Sequence, residues 1–500
     1  MFERLAHLFS IDLRSLALVR VGIAAVVLID VCRRIPDLFL FYGDGGVFPV
    51  SYAYTFWTSD WMWSLHLLGG GAPTLLTALF VIETLAAVAL LIGFYTRIAT
   101  IVLWVLVVSL HNANPLILQG EDVLLRVTLF VSMFLPLGAV YSLDRFRQGN
   151  RLAENMVLSG WTVAYLLQLG FLYFFVSIYK HSPEWVGGTA AYYALSLDQY
   201  ATHFGRYLLQ FPSFLVFTTY SILIFQSLAL FLLFSPVYTT VIRVVTVLGL
   251  MIMHASFAAS MHLGMFSSMS IVALCGFLPP ALWNWLEAQA ARAGARTRSA
   301  LQALSCAVSR NPGVPETTTG AVVSLVGALY ILYIFFWHMG NVFVPGQYVP
   351  FQYGFETPAK IIRIDQRWNL FAPYPYRHDG WIIVDAERPD GSHVNLRTGE
   401  SPVSFERPAV IYDTYPRPRW RRYFLSLWIE NNARYRVPYA QYLCREAQAQ
   451  GDAVQKLNVL YMVEWTPVPG EAPKPVEPTS LIQWDCVQNT YIDVSTATSS

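Results

Sequence analysis

Charge is what this chain has little of. Asp, Glu, Lys and Arg make up 13% of its 500 residues, about half the quarter typical of soluble domains. That scarcity excludes a chain bathed in water on all sides. The formal net charge is +1, and there is neither a polybasic tail nor a phosphate-cradling glycine loop, so no nucleic-acid partner is expected. Cysteine is sparse, with five in all, and no third ligand accompanies any His pair at metal spacing, so no metal site is expected. No cleavable leader is expected either. The first apolar run carries Arg20 and Asp30, and no small-residue cleavage site follows it, which predicts a retained helix. No internal repeat is visible, which ranks transport behind other membrane functions.

What is present is apolar length. A membrane span needs about 20 mostly apolar residues, and about nine segments meet that requirement. They are Leu13–Val31, Pro73–Tyr95, Ile98–Pro115, Asp122–Tyr141, Met156–Tyr179, Tyr207–Phe234, Val237–Ala258, Leu263–Leu286 and Ala321–His338. Basic residues gather in alternate loops, at Arg4 and Arg14, Arg97, Arg145 to Arg151, and Arg292 to Arg310, with Arg33 and Arg34 dissenting. By the positive-inside rule this predicts a multi-pass inner or plasma membrane protein. Its N-terminus is expected in the cytoplasm and its C-terminal domain outside.

The expected fold class is an α-helical polytopic membrane bundle followed by a small α+β extracytoplasmic domain. Its divisions are a bundle over 8–290, a cytoplasmic linker over 291–319, a last transmembrane helix over 320–340 and a soluble domain over 345–465. A Pro-rich segment and polar, disordered tail over 466–500 complete it. Trp381–Val384, the turn Pro389-Asp390-Gly391 and His393–Leu396 predict a β-hairpin. Leu457–Trp465 predicts a further strand, and Phe424–Ala449 is helical in part. Cys444 and Cys486 both lie in the outer domain and are a candidate disulfide.

Ionisable groups inside spans are expensive and therefore informative. Arg20, Asp30, Glu83 and Arg126 are expected to pair with one another and fix helix packing. His111, Asn112 and Asn114, followed by Gly120-Glu121-Asp122, are candidates to line a polar pocket; a helix stop and N-cap would serve equally well. Lys180 closes the fifth span beside Glu184 and Trp185. It is either a snorkelling lysine next to an anchoring Trp or a desolvated base. His254, with His262 and Gly264-Met265-Phe266-Ser267, offers helix–helix hydrogen bonds or a contact to a quinone. In the soluble domain, Asp365–Pro373 and Arg377–Trp381 are expected to pack against the bundle. Arg417, Arg419, Arg421 and Arg422 form either a lipid-headgroup patch or a solvated basic face.

These residues carry a resemblance. Arg20 in the first span, Asn112–Asp122 leading to Pro136 and Ser142-Leu143-Asp144, Ile178–Gly188, and His254 followed by Gly264–Ser267 resemble the HTTM family in that order. Those proteins are bacterial relatives of vitamin K-dependent gamma-carboxylase. The resemblance covers roughly residues 8–290, and Gln366–Trp381 is similar to the tail of many HTTM proteins. It implies Lys180 as the base that deprotonates a reduced vitamin K or menaquinol-type naphthoquinone. It implies oxygen and carbon dioxide as co-substrates, a protein glutamate as acceptor, and His111, Asn112, Asn114, His254 and Trp185 around the quinone. The sequence departs from the animal enzyme at Tyr179, which is Lys there, and no His follows its Asn pair. The other reading is a non-catalytic membrane protein that binds or matures an exported partner through its C-terminal domain. Membrane lipid is a partner in either case.

Overall fold

The computed structural model describes residues 2–57, 61–148, 155–293, 320–343 and 354–492. Most of the expected linker over 291–319 lies outside them. Among the described residues seven helices are long and apolar enough to cross a membrane, or eight if a pair bent by 94° counts as one span. We number the helices α1 (Leu13–Arg34), α2 (Pro73–Ile92), α3 (Thr96–Ala113), α4 (Gly120–Ser132), α5 (Gly160–Ile178), α6 (Pro212–Leu233) and α7 (Thr239–Ser260). The bent pair is α8 (Phe266–Leu274, extended by a 3-10 turn) and α9 (Pro280–Ala293), and α10 covers Ala321–Phe343. The chain is a multi-pass membrane protein.

The expected fourth span is where the count differs from about nine. The helix there, α4, has 13 residues and is followed by turns around Pro136, a residue that cannot continue a helix ladder. It is lined with buried residues, including Glu121, Asp122 and Arg126. Length is therefore not what holds α4 in place; its polar contacts are. Asp122 builds a capping box with Gln119, accepting from Gln119 N at 2.7 Å.

From His378 onward the described C-terminal domain is a five-stranded antiparallel sheet with two α-helices. Its strands are β1 (His378–Glu387), β2 (His393–Asn395), β3 (Lys456–Trp465), β4 (Glu477–Asp485) and β5 (Thr490–Tyr491), in the order β2-β1-β3-β4-β5. The β1–β2 turn uses Gly391 at φ 79°, where a side chain would be strained. The expected disordered tail is corrected here. Residues 477–485 pair along β3 from Lys456↔Asp485 to Val463↔Glu477, so this segment is sheet rather than tail. Its apolar residues Leu481, Ile482 and Trp484 are buried, which outweighs the prolines that precede them.

Helices α11 (Pro418–Trp428) and α12 (Arg436–Ala449) complete the domain. Cys444 on α12 and Cys486 after β4 are joined by a disulfide with Cα atoms 5.5 Å apart. The bond closes a loop with a sequence separation of 42, for which chain-entropy arguments give about 4 kcal/mol. Replacing both residues by Ser is therefore expected to lower the unfolding midpoint of this domain. A melting curve unchanged by the double substitution would contradict this.

Candidate functional site

The site begins with the end of α5. Residues Gly160–Ile178 are almost wholly apolar, and the helix stops at Tyr179. Lys180 follows, two residues beyond the span, and is 6% exposed. Its Nζ donates to Oε1 of Gln226 on α6 and lies 4.3 Å from the ring centre of Trp185. A buried ammonium with only an amide and an indole for company is poorly stabilised. Burial pushes its pKa down from the ordinary value to about 7.

Lys180 stands on the wall of a cavity of about 1220 Å³. Helix α5 contributes Leu172, Tyr173 and Val176; α6 contributes a run from Phe214 to Gln226; α7 contributes Gly249 to Ser260. Phe217 and Ile252 belong to this lining and are themselves exposed, so the cavity borders the surface that faces lipid. His254 on α7 shares a 2.9 Å hydrogen bond between its Nε2 and the Tyr173 hydroxyl. Its buried Nδ1 meets no partner among the described residues.

The roof is the segment Asp365–Ala372, whose residues line the same cavity. Two indoles pin it and a third, its own Trp368, braces it from within. Trp185 Nε1 donates to Phe371 O at 2.9 Å, Trp337 Nε1 to Gln366 O at 2.8 Å and Trp368 Nε1 to Gln366 Oε1 at 2.9 Å. Gln168 on α5 is 2.5 Å from Gln366 through its side-chain amide. Arg377 forms an ion pair with Glu184. The dense motif before the sheet is thus a cover for the bundle. His378 lies outside the cavity, 3.2 Å from Trp428 Nε1.

The expected base Lys180 stands here, with two of the five residues expected around the quinone, Trp185 and His254. Three do not, and the expectation for them is corrected. His111 Nε2 is 3.2 Å from Asp122 Oδ1. Asn112 donates to Trp63 O at 2.7 Å and accepts from Arg363. Asn114 donates to Phe41 O at 2.9 Å and caps Leu116 N at 3.2 Å. Asn112 and Asn114 are spent on holding a helix end or a loop, because a buried amide without partners costs more than it can return.

Three of the four intramembrane charges, Arg20, Asp30 and Arg126, also find other partners than each other. Arg20 donates to the carbonyls of Leu137, Val140 and Tyr141. Arg126 donates to Arg363 O at 2.7 Å and to Asp365 at 3.0 Å. Glu83 is buried, with one carboxyl oxygen unpartnered among the described residues. Asp30 binds Arg34 at 2.7 Å and Arg419 at 2.6 Å. Arg419 comes from α11 of the C-terminal domain and also reaches Asp122, at 3.0 Å. Arg421 is buried too and donates to the carbonyls of Gln199 and His262. The basic run is therefore neither a headgroup patch nor a solvated face at these two positions. It is the plug that seats the outer domain in the bundle.

Residues 9–283 match the family profile of the HTTM domain. The chain belongs to the HTTM-domain family. No curated protein and no solved structure matches it. The HTTM domain ends inside α9, so it contributes Lys180, Gln226 and His254 but neither the roof nor α10. Gln226 and Tyr173 are the site residues that sequence reasoning missed. Gln226 carried a signal, as a lone amide in the otherwise apolar run Pro212–Leu233; Tyr173 carried none, one aromatic among many in α5.

The Lys180–Gln226 contact makes a prediction that does not depend on activity. The amide oxygen stabilises the ammonium more than the neutral amine. Gln226→Leu is expected to lower the proton affinity of Lys180 further, by about 1 pH unit. The pH dependence of Lys180 labelling by an amine-reactive reagent reads this directly. An unchanged or alkaline-shifted profile would remove Gln226 from the site.

Proposed function

We propose that this HTTM protein oxygenates a lipid quinol of the naphthoquinone class, with Lys180 as the base. The observation that carries the reading is the Lys180 amine, buried on the wall of a cavity that borders lipid and is lined mainly by apolar side chains. The donor set fits such a substrate. An apolar volume suits a ring and prenyl tail, while Lys180 and the unpartnered Nδ1 of His254 suit hydroxyl groups. Bound there, the quinol would supply the reducing electrons for oxygen. Lys180 takes the proton of a quinol hydroxyl. Gln226 and Trp185 hold the amine in place, and His254 with Tyr173 holds a second hydroxyl. The roof at Gln366–Phe371 keeps bulk water from the reacting atoms.

The resemblance to gamma-carboxylases extends the proposal to carboxylation of a protein glutamate by carbon dioxide. Orientation belongs to the same reading. Arg14, Arg97, Arg145 and Arg147 gather at one end of the bundle, where Arg14 meets Glu287 and Asp144 caps the start of α3. The C-terminal domain seats at the other end of α1, on Asp30 and Arg34. Positive-inside reasoning puts that domain outside the cytoplasm, which suits its disulfide. The test is epoxide formation from a reduced naphthoquinone by protein in lipid, with and without oxygen, in wild type and Lys180→Ala. Absence of turnover with every quinol tried would overturn the reading.

A further inference from the structure

The end of the bundle away from the outer domain carries cations without an ion-pair partner. The turn 93–95 joins α2 to α3, two spans, and so lies at a membrane surface. Ile92 before it and Ile98 after it are exposed, on helices whose surroundings are lipid. The short helix Leu143–Gln148 is tied to this turn, because Asp144 N donates to Gly93 O at 2.9 Å. The Asp144 carboxylate is spent on the start of α3. It accepts from Tyr95 N at 2.8 Å and from Thr96 N and Oγ1, both at 2.7 Å. Arg145 and Arg147, on the same short helix, form no ion pair among the described residues.

The two arginines frame Phe146, which is 82% exposed, more than any other large apolar residue described. Arg147 lies over two rings, 4.7 Å from the centre of Tyr95 and 5.5 Å from that of Phe94. It donates to the Tyr95 hydroxyl at 3.2 Å. These contacts hold the guanidinium in place and leave most of its N–H groups free. Arg145 is half-buried, and its Nη2 meets no partner among the described residues. Arg97, near the start of α3, adds an exposed cation. An exposed Phe between cations, level with the ends of spans, suits the boundary between headgroups and acyl chains. The rim continues on α9, which turns 94° away from α8 and exposes Trp285 and Leu286. Tyr141 donates to Glu287 of α9 at 3.3 Å, which sets that helix beside Leu143–Gln148.

We propose that Arg145 and Arg147 bind the headgroup phosphate of an anionic phospholipid, with Phe146 set among its acyl chains. Guanidinium groups match the oxygens of a phosphate in pairs. A zwitterionic lipid brings its own cation beside the phosphate, so two unpaired arginines favour the anionic lipid. The site lies at the opposite end of α5 from Lys180 and owes nothing to its chemistry.

The experiment titrates the purified protein in detergent with phosphatidylglycerol or phosphatidylcholine and counts bound lipid by native mass spectrometry. Wild type should hold phosphatidylglycerol about tenfold more tightly, as two cations at a lipid surface imply. The double variant Arg145→Gln, Arg147→Gln should hold the two lipids alike. Phe146→Ser should weaken both lipids equally, and Arg407→Gln, in the outer domain, should change neither. Excess glycerol phosphate, which lacks acyl chains, should not displace the lipid; displacement would mark a site for free phosphate and overturn the assignment. Equal affinity of wild type for the two lipids overturns it, as does a double variant that keeps the preference. If the double variant melts early, Arg147→Gln alone decides, since Arg147 is exposed and its loss leaves the fold standing. It should weaken phosphatidylglycerol severalfold, and an unchanged preference removes the site.

Discussion

Lys180→Ala is expected to reduce oxygen-dependent quinol conversion by about 10²–10⁴-fold, the usual worth of a positioned base. An ordinary lysine near pH 7 is almost wholly protonated and cannot accept a proton. Burial lowers Lys180 to about 7, so a large fraction of the protein carries a neutral amine at that pH. The sign of the pH dependence follows. The amine is the active form, so the rate falls as pH drops through about 7 and levels off above it. Lys180→Arg keeps the charge and the length but stays protonated, and should be as slow as Ala. The same burial has a stability consequence. The folded pKa lies below the ordinary 10.5, so the unfolded chain binds the extra proton between these values. Lys180 therefore costs stability in full below about pH 7, and the cost fades as pH rises toward 10.5. A rate independent of pH from 5 to 9 (roughly the range over which such a lysine would titrate) would sink the assignment of Lys180 as the base.

Asp122→Ala is expected to cost about 3–5 kcal/mol, because it leaves two buried guanidinium groups sharing Asp30 alone. Arg34 reaches Asp122 at 2.7 Å and Arg419 reaches it at 3.0 Å. With Asp30 these form two carboxylates and two cations with their charges balanced, at the join between the bundle and α11. Losing one carboxylate should release α11 and, with it, the outer domain from the bundle. Limited proteolysis should then cut between the two parts at protease levels that leave the wild type whole. Arg419→Met should do the same less severely, since Arg34 still pairs with both carboxylates. A double-mutant cycle of Asp122 and Arg419 isolates their interaction. Additive effects would mean that the contact does not hold the domains together.

The two predictions concern residues that the sequence treats alike, as costly polar groups among apolar ones, and that the structure treats differently. Lys180 was recognisable as a candidate because it ends an apolar span beside Glu184 and Trp185. What could not be read is whether it points to lipid headgroups or into a pocket, since both outcomes have the same local sequence. Its decisive neighbour, Gln226, is 46 residues away. Asp30 and Arg126 were rightly singled out as unusual, but their partners Arg419 and Asp365 lie more than 200 residues further along. The polar cluster His111-Asn112-Asn114 misled because its residue types suit a ligand and suit a helix end equally.

The sequence by itself determined the class. Apolar length, scarce charge and the change of pattern after Pro345 fix a membrane bundle and an appended domain, because bilayer thickness and burial act on every residue in a run. The order of motifs over residues 9–283 determined the family. Only the tertiary structure decided the site. It placed Lys180 against Gln226, put the roof at Gln366–Phe371 over the cavity, and turned Arg419 and Arg421 inward. Those outcomes depend on which distant groups meet, and a buried charge takes the partner that packing brings to it rather than the one nearest in the chain.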